Sequence, residues 1–367
     1  MSGSSGVTTI PVGQDYDVVV GHGLIDELPR RVPDGAAQAL IVHPPTLTEL
    51  AGRYASAVRA TGLTVHLAAV PEGETAKTSA TLVALWDRLG EAAFTRSDLV
   101  IAVGGGTVTD LGGFVAATWL RGVDVIQVPT TVLAMVDAAV GGKTGINTAA
   151  GKNLVGAFHP PRAVLCDLDS LASLPVDDLR AGLGEVVKGG FIADPVILDL
   201  IAADPADCLD PHGARLRELI ERKIAVKARV VAEDLKESWL REILNYGHTL
   251  GHAIEQVEDY RIRHGEAISV GMVFAAELAR GAGLIDDALV QRHRSVLGAL
   301  GLPTTDHWAV GDADTRFARL LDAMRRDKKS RGSLLRFVVL DGLGSVTRLE
   351  GPGEDQLRAA YQAVVGS

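Results

Sequence analysis

The sequence lacks the features of disulfide-rich, secreted and membrane-spanning proteins. Its 367 residues include only two cysteines, Cys166 and Cys208, too few for a disulfide scaffold and typical of a reduced compartment. No apolar run reaches the roughly 18 residues that a membrane span needs, and no signal-peptide pattern stands at the start. We therefore expect a cytoplasmic chain with no membrane partner.

Positive charge is also scarce. The chain has 36 lysines and arginines against 46 aspartates and glutamates, which gives a formal net charge of -10. Such a surface disfavours binding to nucleic acid, so any anionic ligand must be small and locally held. The length corresponds to about two domains and suffices for a full hydrophobic core.

The first half of the chain alternates between two kinds of pattern. Short β-branched runs at 16–20 and 39–42 alternate with helical patterns at 47–61 and 78–92. This alternation predicts an α/β, Rossmann-like domain with a parallel sheet. Helical patterns dominate after Leu174-Pro175, so we expect domains at 1–176 and 177–367, the second mainly helical and with a late strand at 334–340.

The clearest predicted strand, 99–103, leads into Gly104-Gly105-Gly106, and a helical pattern follows at 107–118. Backbone N–H groups at such a helix start, together with the helix dipole, favour a pyrophosphate. The usual G-x-G-x-x-G spacing fails, because Thr109 stands where the third glycine would be. The turn is a candidate dinucleotide loop, and a glycine turn without a ligand is the alternative.

A polar, glycine-rich stretch at 129–156 is the main candidate for a working surface. Two lysines, an aspartate and two asparagines lie among five glycines, residues that let a backbone approach a ligand and hold anions or hydroxyls. An ordinary surface loop is the alternative. The apolar flanks 132–136 and 154–155 predict instead that these loops are held inside the structure.

The second half opens on Glu185 and Lys188, three residues apart in a glycine-rich helical pattern. Each glycine weakens a helix by nearly 1 kcal/mol relative to alanine, so close packing must offset the loss. An exposed ion pair is the common alternative and is worth little. We interpret the two residues as a buried functional pair.

A helix predicted over 237–255 would place Arg241, Asn245, His248 and His252 on one stripe. Two or three imidazoles, with His264 nearby and the carboxylate of Glu185, would form an open divalent-metal site. A structural role is the alternative for any single histidine. The expectation for Lys223 and Lys227, one turn apart, is a solvated lysine face, and 325–329 is a basic cluster that could close over a phosphate.

Taken together, these motifs resemble those of the 3-dehydroquinate synthases, within the sugar-phosphate cyclases. The resemblance rests on Pro71-Glu72-Gly73-Glu74 with Lys77, the glycine loop with Asp110, Thr118 to Gly122, the stretch 129–156, Glu185 to Lys188, Leu244 to Glu255, His264-Gly265-Glu266 and Asp327-Lys328-Lys329. It covers most of the chain. It implies a homodimeric lyase that uses NAD and Zn2+, with Co2+ as an alternative metal.

The resemblance also implies roles for individual residues. The family's metal ligands correspond to Glu185, His248 and His264, which makes His252 a substrate ligand. Its NAD contacts correspond to Glu74, Lys77, Gly105, Gly106, Asp110, Thr130, Thr131, Ser173 and Leu174, with Lys143 and Lys152 beside them. Its substrate ligands correspond to Asp137, Lys143, Lys152, Asn153, Lys188, Lys227, Arg241, Asn245, His252 and Lys328, and Arg121 would reach the neighbouring subunit's phosphate.

The implied reaction converts 3-deoxy-D-arabino-heptulosonate 7-phosphate to 3-dehydroquinate and phosphate in the shikimate pathway. Transient oxidation by NAD, phosphate elimination, re-reduction and an intramolecular aldol closure follow one another. Another sugar-phosphate cyclase is one alternative, although such cyclases replace parts of the pattern 245–252. A metal-dependent alcohol or glycerol dehydrogenase would release NADH and needs no phosphate-binding lysines. A non-catalytic sensor would bind without turnover.

Overall fold

The structure is a computed structural model that describes residues 6–234, 240–308, 312–328 and 334–365, without the side chains of Leu240, Asp327 and Lys328. The chain divides into two compact units. One comprises Met1–Leu174 with Lys227–Lys236, and the other comprises Pro175–Val226 with Glu237–Ser367.

The first unit is an α/β domain with nine described strands. They are β1 (Thr8–Val12), β2 (Tyr16–Gly21), β3 (Gln38–His43), β4 (Thr64–Ala69), β5 (Leu99–Gly104), β6 (Asp124–Pro129), β7 (Lys143–Thr148), β8 (Gly151–Phe158) and β9 (Ala163–Asp167). Its helices are α1 (Thr48–Arg59), α2 (Ser79–Glu91) and α3 (Gly106–Thr118). Seven strands form one sheet in the order β1-β2-β9-β6-β5-β3-β4, while β7 and β8 form a separate antiparallel hairpin.

The sheet confirms the predicted α/β class. Every pairing in the seven-stranded sheet is parallel except that of β1 with β2. All residues of β5 are buried, and they alternate between two cores: Val100 and Ala102 pack in one, whereas Leu99, Ile101 and Val103 pack in the other. A strand covered on both faces needs a continuous apolar run, which is why its position is clear from the sequence.

The second unit is mainly helical, as predicted. Its helices are α4 (Val176–Ile192), α5 (Val196–Ala203), α6 (Pro205–Leu209), the first part of α7 (Ala214–Glu233), α8 (His248–Val257), α9 (His264–Gly281), α10 (Asp287–Ala299), α11 (Ala313–Lys328) and α12 (Glu354–Gln362). Strands β10 (Arg336–Gly342) and β11 (Ser345–Glu350) form an antiparallel pair. Strand β10 corresponds to the late strand predicted at 334–340.

The helix predicted over 237–255 is wrong. Within the described part of this stretch, a 3-10 helix spans Leu240–Asn245 and α8 begins only at His248. Gly247 separates the two with a φ of 79°, a left-handed conformation that ends a right-handed helix. Arg241 and Asn245 therefore do not share one helix face with the two histidines. Only His248 and His252, both in α8, have the helical spacing that was predicted.

Helices α4 and α9 meet backbone to backbone. A Cβ added to Gly265 would lie 1.7 Å from the carbonyl oxygen of Ala181, and one added to Gly184 would lie 2.7 Å from the carbonyl oxygen of Gly265. Neither position has room for a side chain. Dispersion contacts along this close approach offset the weak helix propensity of glycine.

Both cysteines are free and buried, Cys166 in β9 and Cys208 in α6. Burial raises the pKa of the Cys166 thiol and raises that of Cys208 to about 11. Among the described helices, none combines the length and the apolar character of a membrane span.

We predict that Gly265→Ala lowers the free energy of unfolding by about 3 kcal/mol, because the new methyl group must push two backbones apart. Gly281→Ala, at the other end of α9, is the matched control. A Cβ there meets nothing within 4 Å, so we expect it to stabilise by up to about 1 kcal/mol. Denaturant unfolding measures both, and equal effects would contradict the packing argument.

Candidate active site

Three side chains of the second unit converge on one point. Glu185 extends from α4, His248 stands at the first position of α8 and His264 at the first position of α9. One ligand atom from each lies within 4.8 Å of the others. The two Nε2 atoms lie 3.6 and 3.7 Å from Glu185 Oε1, beyond the range of a hydrogen bond.

Hydrogen bonds orient both imidazoles. Nδ1 of His248 lies 3.1 Å from the carbonyl oxygen of Tyr246, and Nδ1 of His264 lies 3.2 Å from Glu255 Oε2. A carbonyl or carboxylate oxygen only accepts, so each Nδ1 carries a proton and donates it. This assignment leaves Nε2 of both rings as the atom available to a metal, with an oriented partner behind each ring.

The charged groups at this point shift one another's pKa values. Burial would raise the pKa of the Glu185 carboxyl, but Lys188, whose Nζ lies 2.5 Å from Oε2, and His264 hold it well below its usual range. Burial and Lys188 keep the pKa of His248 well below its ordinary value. Burial opposes protonation of His264, yet Glu185 and Glu255 raise its pKa to about 10, so a bound cation would displace a proton there.

Glu185 and Lys188 are both buried, in agreement with the expected burial of this pair. The expectation of a solvated face at Lys223 and Lys227 is wrong: the two residues are 0% and 5% exposed. A Cβ on Gly189 would lie 2.5 Å from Lys223 Cδ, so a glycine of α4 provides the space for this lysine stem. The spacing of the lysines along α7 could not reveal their burial, because the space for Lys223 belongs to another helix.

In the first unit, the glycine loop after β5 is closely packed. A Cβ on Gly105 would lie 3.3 Å from Thr131 Cγ2, and one on Gly106 would lie 3.2 Å from Ala138 Cβ. A Cβ on Gly112 would lie 2.7 Å from Ala102 Cβ, so this glycine provides the close contact between helix and strand that the third glycine of the usual pattern provides.

A polar network lies beside the loop. The Nζ of Lys77 donates to Asp110 Oδ2 at 2.6 Å and to Asn153 Oδ1, although the lysine is only 2% exposed. Asn147 donates to Glu74 Oε2 at 2.6 Å. Burial raises the pKa of the Asp110 carboxyl, and the charge of Lys77 opposes that rise.

Asp137 lies in a single turn of π-helix, Ala134–Ala138. Its Oδ1 accepts a hydrogen bond of 2.7 Å from the Nζ of Lys227, which also donates to the Asp137 carbonyl. Both residues belong to the first unit. Such one-turn bulges redirect a backbone and are frequent at functional sites.

The remaining predicted residues differ in exposure. Lys143, Asn153, Arg121, Ser173 and His252 are exposed, Lys152, Thr131, Leu174 and Asn245 are partly buried, and Thr130 and Arg241 are buried. The Nζ of Lys152 lies 3.9 Å from Glu74 Oε1. The His252 ring is centred 5.0 Å from that of His248, and its ligand atoms also group with Glu255 and His264. The side chain of Lys328 lies outside the described residues.

One sequence expectation needs correction, and two residues of the site were missed. Leu154 and Val155 are 64% and 45% exposed, so this apolar flank does not hold the loop inside, whereas Val132, Met135 and Val136 are buried as expected. Glu255 and Tyr246, which orient the imidazoles, belong to the motif 244–255 but had no assigned role. Only the folded chain identifies them, because it places Tyr246 beside His248 and Glu255 beside His264.

Comparison with known proteins identifies one family along most of the chain. The profile described as 3-dehydroquinate synthase N-terminal matches residues 67–181, and that described as 3-dehydroquinate synthase C-terminal matches residues 182–330. A 3-dehydroquinate synthase of Thermobifida fusca (strain YX) is 59% identical over 366 residues, or 98% of this chain and 97% of that protein.

Solved structures of related cyclases share the fold. A 2-deoxy-scyllo-inosose synthase complexed with carbaglucose-6-phosphate, NAD+ and Co2+ is 28% identical with a TM-score of 0.86, covering 98% of this chain and 100% of that chain. A 2-epi-5-epi-valiolone synthase from Streptomyces hygroscopicus subsp. jinggangensis 5008 with NAD+ and Zn2+ bound is 26% identical with a TM-score of 0.85, covering 99% and 98%.

We predict that Lys77→Ala lowers the free energy of unfolding by about 2 to 4 kcal/mol, because it leaves Asp110 without its buried cation. Lys152→Ala removes a partly buried lysine whose contact with Glu74 spans 3.9 Å, and we expect a loss below about 1 kcal/mol. Urea denaturation of both variants measures the difference. A Lys77 variant as stable as the Lys152 variant would disprove the energetic role of this pair.

Proposed function

The chain belongs to the 3-dehydroquinate synthase family, and from that membership we propose that Glu185, His248 and His264 hold the metal ion of its active site. The observation that carries this proposal is the buried Glu185 carboxylate, whose Oε1 has no hydrogen-bond donor among the described residues. Two oriented imidazoles face that oxygen from 3.6 and 3.7 Å. Two histidines and a carboxylate suit Zn2+, or Co2+ in its place, and leave a position for a substrate oxygen.

The enzyme converts 3-deoxy-D-arabino-heptulosonate 7-phosphate to 3-dehydroquinate and phosphate, a lyase reaction of the shikimate pathway. When bound, NAD takes a hydride from the substrate and returns it, while the metal polarises the oxygens at the reacting carbons. The chain's own residues must therefore bind the cofactor, orient the sugar phosphate and hold both of its negatively charged ends.

For NAD we propose the first unit, with contacts at Glu74, Lys77, Gly105, Gly106, Asp110, Thr130, Thr131, Ser173 and Leu174, and with Lys143 and Lys152 beside them. The packed loop at the start of α3 supports this assignment, because glycine lets a pyrophosphate approach the helix amides. The Lys77–Asp110 hydrogen bond holds a carboxylate close to that helix start. We place this cofactor domain at 1–176 and the metal- and substrate-binding domain at 177–367.

For the substrate we propose that one group of residues binds the phosphate and another binds the carboxylate. Lys152, Asn153, Lys188, Asn245, His252 and Lys328 hold the phosphate end, and position it to accept a proton from the neighbouring carbon. Lys143, Lys227 and Arg241 hold the carboxylate and the ring oxygens, with Asp137 at the reacting carbons. The burial of Lys188, Lys227 and Arg241 supports these roles, because a cation already removed from water binds an anion strongly.

We also propose that the enzyme works as a homodimer in the cytoplasm. Leu154, Val155 and Phe158 on β8 are between 45% and 64% exposed, an apolar surface that a second subunit would cover. Leu120 and Arg121 both have positive φ, of 48° and 69°, a strained conformation that presents the Arg121 side chain outward. Arg121 would reach the phosphate in the neighbouring subunit. The two buried free thiols suit a reduced compartment.

We predict that the purified protein, given the heptulosonate phosphate, NAD and Zn2+, releases phosphate and dehydroquinate in equal amounts without accumulating NADH. A chelator should abolish the reaction, and Zn2+ or Co2+ should restore it. Glu185→Ala should lower the rate at least about 100-fold, because the metal loses an anionic ligand. Accumulating NADH would favour a dehydrogenase, and no phosphate release would overturn the proposal.

A subunit-mixing experiment tests the role of Arg121. Arg121→Ala and Lys188→Ala should each be nearly inactive. If Arg121 acts on the partner's site, one site of each mixed dimer is intact, and random exchange should restore about a quarter of the wild-type rate. If Arg121 acts within its own subunit, every site in the mixture carries one of the two defects and the rate stays low.

A further inference from the structure

A buried pair of side chains, Tyr246 and His293, lies behind the His248 ligand. Tyr246 occupies the turn that precedes α8, and His293 stands in the middle of α10. Both side chains are 0% exposed, and the Tyr246 hydroxyl lies 2.8 Å from His293 Nε2. No role for either side chain follows from the substrate or metal contacts described above.

The direction of the protons in this pair follows from its neighbours. Nδ1 of His293 lies 2.7 Å from the carbonyl oxygen of Leu289, which only accepts, so Nδ1 carries the proton. Nε2 is then the acceptor, and the Tyr246 hydroxyl donates to it. The carbonyl of Met272, 3.3 Å from the hydroxyl, is a weaker second acceptor. Burial lowers the pKa of His293 to about 3, which keeps the ring neutral and Nε2 able to accept.

His293 also contacts the helix that carries Glu185. Its ring stacks on Phe191 of α4 with the centroids 3.5 Å apart and the planes 5° from parallel. Tyr246 is thereby tied through one histidine to both α10 and α4. The turn has little room to adjust, because a Cβ on Gly271 of α9 would lie 2.0 Å from the carbonyl oxygen of Gly247.

The main chain of Tyr246 connects this pair to His248. The Tyr246 carbonyl oxygen accepts the hydrogen bond from His248 Nδ1 at 3.1 Å. We propose that Tyr246 and His293 are positioning residues of the metal site: their side-chain hydrogen bond holds the Tyr246 carbonyl where it keeps His248 in the tautomer and orientation that present Nε2. The inference rests on the proposed function of Glu185, His248 and His264 as metal ligands.

Metal affinity of the full-length protein tests this role without any turnover. Co2+ binding is measured by competition with a chromophoric chelator for wild type, Tyr246→Phe, His293→Phe and the double variant. We expect each single variant to bind Co2+ about 10-fold more weakly, because the Tyr246 carbonyl that accepts from His248 Nδ1 is no longer held in place. The double variant should be no weaker than the singles, because one hydrogen bond is removed in all three. The visible spectrum of bound Co2+ should also shift.

Ser269→Ala is the matched control. The Ser269 hydroxyl is fully buried and donates to the carbonyl of Pro303 at 2.6 Å, so its loss costs a buried hydrogen bond in the same unit without touching the His248 chain. Its Co2+ affinity and spectrum should equal those of wild type, although its melting temperature falls. Should Tyr246→Phe fail to fold, His293→Phe, which keeps an aromatic ring against Phe191, carries the same comparison.

His264→Ala distinguishes a failure of the metal-ligand assignment from a failure of the positioning role. If wild type binds Co2+ and this variant does not, the ligand assignment stands, and unchanged affinity and spectrum in the Tyr246 and His293 variants would then overturn the positioning role alone. If wild type and His264→Ala bind Co2+ equally, the metal site itself is wrong, and the positioning role falls with it.

Discussion

The close approach of α4 and α9 is the constraint on which the proposed metal centre depends. Glu185 follows Gly184 in the chain and His264 precedes Gly265, and these two glycines make the backbone contact between the helices. The contact that joins the helices therefore also sets the distance between carboxylate and imidazole. Glycine in these helices sets the spacing of the proposed ligands, and close packing offsets the helix propensity that glycine costs.

The protein is acidic, yet it buries several lysines and acts on a substrate that is negatively charged at both ends. Among the described residues, Lys77, Lys188, Lys223 and Lys227 are all buried although the whole chain is negative. A lone buried cation is costly, and carboxylates reduce that cost where Asp110 meets Lys77, Glu185 meets Lys188 and Asp137 meets Lys227. The acidic exterior repels polyanions, while the interior provides desolvated cations for a small one.

The sequence predicts the regular parts of this protein well and its junctions poorly. The strand at 99–104 and the helices after it follow from local apolar patterns, which burial on both faces imposes. The break at Gly247 does not, since only the crossing of α9 requires a left-handed residue there. Burial of Lys223 depends on space that Gly189 of α4 leaves open, and the proposed role of His293 depends on a partner 47 residues away. Resemblance to a family led to the proposed metal ligands, but it did not reveal the hydrogen bonds that orient their side chains.

The two inaccessible thiols make the protein convenient for site-specific chemistry. A maleimide or iodoacetamide reagent needs a solvent-exposed thiolate, and burial denies Cys166 and Cys208 both exposure and ionisation. A cysteine introduced on an exposed position of the native protein would therefore be modified with little background. A fluorescent label placed in this way would report on the binding of cofactor and sugar phosphate in a protein that retains both of its natural cysteines.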